Sequence, residues 1–190
     1  MVRIHLSDGS FFIIAAEVFA REGIAAGARL EESRIAALEA SSQNVLARES
    51  ALRLLSRAGQ TRRGLARKLR SRGFPVDAVR ATVNRMTELG YLDDQVFAEN
   101  WARYRVSTRR EGWKSLYRGL LRNGVPRKIA EQVLGEVCTD EVELERARLL
   151  ARGLPPKVVV GRLTARGFRS RTIARILSEM RKEAPPETGD

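Results

Sequence analysis

The chain opens on an alternation. Val2-Arg3-Ile4-His5-Leu6 switches between apolar and polar side chains with the period of a half-buried strand. Asp8-Gly9 and the apolar run Phe11-Phe12-Ile13-Ile14 follow, which together predict a β-hairpin with His5 on its polar side. The period then becomes helical. Ala15–Glu22 predicts a short helix closed by Gly23, and Leu30, Ile35 and Leu38 predict a second helix over 30–40. The polar Ser41-Ser42-Gln43-Asn44 predicts a break and a module boundary. A lone hairpin is marginal in water, so this one must pack on a helix.

Beyond residue 45 the pattern repeats. Three segments align on Gly73, Gly124 and Gly167. Leu69, Leu120 and Leu163 stand four positions before the glycine, and Leu65, Leu116 and Val159 stand eight before it. Phe74, Val125 and Phe168 come directly after. Further apolar positions, such as Val79, Ala130 and Ile173, trace one face of a following helix. Each unit reads as helix, Gly-apolar turn, helix, because glycine admits φ > 0 and the next apolar residue packs back on the helix end. Leading helices are predicted over Arg48–Ala58, Asp94–Val106 and Thr139–Arg152. The glycines are 51 and then 43 residues apart, and the extra residues point to a longer loop at Ser107–Gly112.

The expected fold is mainly α: three tandem three-helix repeats forming an elongated, curved stack, preceded by a small β-hairpin/helix module. The boundaries are 1–45 for the module and 46–93, 94–138 and 139–182 for the repeats. A flexible, proline-bearing tail is expected at 183–190. The seam between the first two repeats is Leu89–Trp101. Gly90 ends one helix, and Asp93 or Asp94 caps the next. Phe97, Trp101 and Tyr104 recur at i, i+4 and i+7, the spacing of core contacts rather than of a base-stacking platform.

Charge adds a direction. The formal net charge is +12; residues 1–50 carry −2, so the positive excess lies after residue 50. With Leu65 at 0°, Arg63, Arg67 and Arg70 fall at about 160°, 200° and 140°, opposite the core. Lys114, Arg118 and Arg122 occupy similar angles around Leu116, and Arg109 and Arg110 extend the stripe. In the third unit the matching positions are Lys157, Gly161 and Ala165, so the stripe fades. These eight basic residues are candidates for binding a polyanion, either nucleic acid or an acidic protein surface. The alternative is that they are simply exposed helix formers.

Candidate chemistry is sparse. The chain has one cysteine, Cys138, and one histidine, His5, far apart: too few for a zinc site, and with His5 alone on a strand no Cys–His pair can be built. No Gly-rich phosphate loop of the P-loop kind is present. Asp93-Asp94 sits where a cap belongs, not a metal. No cofactor and no enzymatic activity are expected. Arg3 and His5 interrupt any signal peptide, and no apolar run reaches the roughly 20 residues that span a bilayer. Without a disulfide the chain suits a reducing cytoplasm.

The run Leu89-Gly90-Tyr91-Leu92-Asp93-Asp94 followed by Phe97-Ala98 and Trp101, with Gly112, Leu116, Leu120, Gly124 and Val125 downstream, resembles the RecX family of bacterial regulators of RecA recombinase. Arg72-Gly73-Phe74 and Arg166-Gly167-Phe168 fit as well, and the likeness covers about residues 46–181. The leading hairpin looks like the N-terminal module of some members. The resemblance implies a monomeric cytoplasmic protein of DNA repair and the SOS response. It would bind the RecA filament on single-stranded DNA in its helical groove and inhibit recombinase and coprotease activity. Inhibition would come from blocked growth or from disassembly. Some members also bind DNA directly, so the target of the basic stripes stays open, with a DNA-binding protein and a structural adaptor as the other readings.

Overall fold

The computed structural model describes residues 1–183. They form a two-stranded antiparallel sheet and ten helices, in two compact units, Met1–Asp93 and the described residues from Asp94 on. The tail expected at 183–190 lies outside the described residues from 184 on.

In the first unit β1 (Val2–His5) pairs with β2 (Phe11–Ile14), His5 facing Phe11. Ser10 donates its N–H and its hydroxyl to the Asp8 carboxylate at 2.9 and 2.6 Å. Those two bonds, the hydroxyl first, hold the Asp8 carboxyl below its usual pKa. Phe12 and Ile14 point into a core with Val18 of α1 (Ala16–Glu22), while Phe11 and Ile13 face out. The break expected at Ser41–Asn44 is absent. Helix α2 runs unbroken over Glu32–Leu55. Ser42 is turned inward, and its Oγ accepts the Ala15 N–H at 2.7 Å. A polar residue that reads as a break instead satisfies a buried donor at the start of α1. Leu38 and Val45 of α2 pack under the hairpin, and Ala51 and Leu54 pack on α3 (Arg62–Arg70) and α4 (Val76–Glu88). The N-terminal module and the first repeat therefore share one helix.

The second unit holds two three-helix groups. Helices α5 (Asp94–Thr108), α6 (Trp113–Asn123) and α7 (Arg127–Val137) close around Ala98, Leu116, Leu120 and Leu134. Helices α8 (Asp140–Ala151), α9 (Pro156–Ala165) and α10 (Ser170–Glu183) close around Leu144, Val159, Leu163 and Ile176. The Gly-apolar turn is the same in all three repeats. Phe74, Val125 and Phe168 donate their N–H to the carbonyls of Leu69, Leu120 and Leu163 at 3.3, 3.1 and 3.0 Å. Gly73, Gly124 and Gly167 sit at φ of 87°, 92° and 76°, where a Cβ is strained.

Two expectations about α5 need correction. The helix continues to Thr108, so the loop shrinks to Arg109–Gly112. Its aromatics also do not share one environment. The buried residues of α5 are Asp94, Ala98 and Ala102. Phe97 and Trp101 flank that line and pack on the core, but Tyr104 falls about 120° from Ala98 and is 64% exposed. Asp94 lies in the first turn of α5 and is buried, and Asp93 directly precedes it. Gly90 closes α4 at φ 74°, with the Tyr91 N–H donated to Met86 at 2.9 Å.

Candidate functional site

The orientation of each basic face is set by its apolar side. Thr61 caps α3, its side-chain oxygen accepting the Gly64 N–H at 2.9 Å. Leu65 and Leu69 are then fully buried, and Arg63, Arg67 and Arg70 stand on the exposed side. In the second unit Leu116 and Leu120 are fully buried, and Lys114, Arg118 and Arg122 stand exposed. Some exposed arginines elsewhere pair with carboxylates, as Arg80 does with Asp77 and Arg148 with Glu179. Arg63, Arg70, Arg109, Arg110, Lys114 and Arg118 form no ion pair with a described residue. Uncompensated cations on one helix face leave a positive potential that attracts polyanions. Each unit thus carries its own face.

The loop Arg109–Gly112 is held residue by residue. Arg146 donates to the Arg109 carbonyl, and Arg166 donates to that of Arg110 at 3.3 Å. The Glu111 carboxylate takes both Arg105 Nε, at 3.1 Å, and Arg105 Nη2. The Gly112 N–H donates to the Arg166 carbonyl at 2.9 Å. The loop backbone is pinned from behind while the Arg109 and Arg110 side chains face solvent. Arg146 is buried beside Cys138, and burial lowers its pKa. Burial, followed by the Glu143 carboxylate, pushes the Cys138 thiol up to about 11. Cys138 is thus the small buried group its isolation suggests, not a nucleophile.

Glu143 joins the second and third repeats. Its fully buried carboxylate accepts the Trp113 N–H at 2.7 Å, Arg169 Nε at 2.6 Å and the Thr172 hydroxyl at 2.7 Å. It thereby holds the first residue of α6 against the start of α10. The Lys114 N–H donates to the Gly167 carbonyl at 2.9 Å beside it. Trp113 stacks on Tyr117 with ring centroids 4.9 Å apart and planes 14° from parallel. Among the described residues no cluster of His, Cys, Asp or Glu could hold a metal ion, and no helix is long and apolar enough to cross a membrane.

Family models agree with this arrangement. Residues 47–86 match the RecX first three-helix domain and residues 93–134 the RecX second three-helix domain. Regulatory protein RecX of Trichlorobacter lovleyi is 36% identical over 145 residues, covering 68% of this chain and 92% of that protein. The chain belongs to the RecX family. Regulatory protein RecX of Thermobifida fusca is 34% identical over 143 residues, 70% of this chain and 77% of that protein. A crystal structure of regulatory protein RecX superposes with a TM-score of 0.71 at 25% identity, covering 93% of this chain and 92% of that one. RecX from Lactobacillus salivarius gives 0.69 at 25% identity, covering 75% and 99%. The likeness spans the third repeat, which lies beyond both matched models.

In this RecX-family chain the sequence left two groups unnoticed. Arg166, with Arg162 one turn before it on α9, comes beside Arg110 through the carbonyl bond described above. The third repeat thus adds cations next to the second-unit face, although its own stripe of Lys157, Gly161 and Ala165 does fade. Glu143 and Trp113 were also missed. An acidic residue in the first turn of a helix reads as dipole compensation, and only the fold reveals the donors gathered on it.

Proposed function

We propose that this chain regulates a RecA-type recombinase by binding its filament on single-stranded DNA through the two basic faces. The observation that carries this reading is the set of exposed, uncompensated cations on α3 and on α6 with its preceding loop. A nucleoprotein filament is a polyanion with a periodic groove, and repeated cationic helix faces suit it. Seated there, the protein inhibits recombinase and coprotease activity by blocking filament growth or promoting disassembly. It acts as a regulator rather than an enzyme, as a monomer in the cytoplasm.

The test is recombinase-dependent ATP hydrolysis and strand exchange with the protein added stoichiometrically. Inhibition is expected, and full activity refutes the proposal. A second reading, in which DNA itself is the main target, is favoured by the line Lys114, Arg118, Arg122 along α6. These residues lie about 6 Å apart, a step an extended strand can follow. Equal affinity for bare and recombinase-coated single strands, with a steep salt slope, would select that reading.

A further inference from the structure

We propose that the cleft between α6 and the α9–α10 turn receives an apolar side chain of an acidic peptide segment. This rests on the proposed function, because the cleft opens on the α6 basic face, and it assigns that part of the face to protein rather than to DNA. The cleft is about 440 Å³. Tyr117, Phe168 and Ile173 line its apolar interior, and Lys114 and Arg118 stand at its rim. Among the described residues no carboxylate lines it. Lys114 and Arg118 make no ion pair with a described residue, so the charge that complements the rim is negative.

The interior chooses between the two kinds of polyanion. A nucleobase needs an open aromatic face and partners for its polar edge. The Trp113 ring is stacked on Tyr117, and the Arg169 guanidinium lies over it at 5.9 Å. Tyr117 gives its hydroxyl to Glu131 at 3.1 Å. Inside the rim formed by Lys114 and Arg118, the polar side-chain groups left to meet a base edge are the hydroxyls of Thr164 and Ser170 and the Trp113 indole N–H. Burying that edge with partners missing is costly, whereas an aromatic or aliphatic side chain has none to satisfy. Flanking carboxylates would then reach Lys114 and Arg118, giving an apolar anchor inside a charged rim.

The experiment uses the full chain and the fluorescence of Trp113, with Trp113→Phe identifying its signal. Three probes are titrated: a five-residue peptide with phenylalanine between paired acidic residues, the same peptide with glycine at its centre, and oligothymidylate. The phenylalanine peptide is expected to bind about tenfold more tightly than the glycine peptide. Thr164→Glu, an exposed change on the cleft wall, should weaken it by about tenfold at unchanged helix content. Equal binding of the two peptides, indifference to Thr164→Glu, or displacement of the peptide by lower concentrations of oligothymidylate would overturn the assignment. Recombinase ATP hydrolysis is measured in parallel. A wild-type chain without effect there removes the proposed function, while the peptide titrations still decide the cleft.

Discussion

Glu143 and Arg169 are joined twice, Arg169 Nε donating to Oε2 at 2.6 Å and the Arg169 N–H to Oε1 at 3.2 Å, around a carboxylate with no exposure to water. Neither partner is replaceable in isolation. Glu143→Ala strands the Trp113 N–H and the Thr172 hydroxyl and leaves the Arg169 guanidinium, itself only 18% exposed, with the Asp140 carboxylate at 2.8 Å as its remaining ion-pair partner. Breaking a buried pair in this way costs about 3–5 kcal/mol. Urea unfolding of the full chain should show that loss, and a smaller one of about 1–3 kcal/mol for Glu143→Gln, which keeps the shape. A loss below about 1 kcal/mol for Glu143→Ala would mean that water replaces the carboxylate.

Glycines separate close packing from helix propensity. A Cβ on Gly112 would stand 2.3 Å from the Phe168 backbone, which the Gly112–Arg166 hydrogen bond holds in place. A Cβ on Gly161, exposed inside α9, would meet nothing within 4 Å. Gly112→Ala should destabilise by about 1–3 kcal/mol, as overpacking does. Gly161→Ala should stabilise by about 0.8 kcal/mol, from the helix propensity of alanine. Thermal unfolding of the two variants checks both signs.

These two sites also mark what the sequence holds. The three Gly-apolar turns were legible because local chemistry writes them: glycine for φ > 0 and an apolar residue after it. The exposed sides of α3 and α6 were legible for the same reason, since Leu65, Leu69, Leu116 and Leu120 fix the inward direction. The continuity of α2 was not, because Ser42 serves a donor 27 positions away. The Glu143 junction was not, because its donors come from two distant segments, at Trp113 and at Arg169–Thr172. The nearness of Arg166 to Arg110 likewise follows from repeat-on-repeat packing rather than from spacing.

The Cys138 thiol predicts a pH dependence. Its folded pKa, about 11, lies above the ordinary 9.0, so the folded state keeps a proton that the unfolded state gives up. At pH 8 both states are protonated and the thiol has no effect. As pH rises from about 9 to 11 the unfolded thiolate is favoured and stability falls, by about 1.4 kcal/mol for each unit of difference fully traversed. Cys138→Ala should flatten the stability profile in that window. A thiol-reactive dye at pH 8 should label the native protein far more slowly than the urea-unfolded chain. Fast native labelling would contradict the burial.

Charge reversal tests the basic faces without touching a core. Arg63 and Arg118 are exposed, and neither forms an ion pair with a described residue, so Arg63→Glu with Arg118→Glu breaks no internal salt bridge. Helix content by circular dichroism should stay the same. Reversing two contacting cations changes association more than folding, because the attraction is between exposed charges and acts through water. Binding to a recombinase filament on single-stranded DNA should weaken by about tenfold or more at low salt. The loss should shrink as salt is raised, since screening removes the attraction of the native chain and the repulsion of the variant together. If DNA phosphates are the contact, the dependence of log affinity on log salt should also become shallower, by about one for each cation lost. Unchanged binding at low salt would return Arg63 and Arg118 to the role of exposed helix formers.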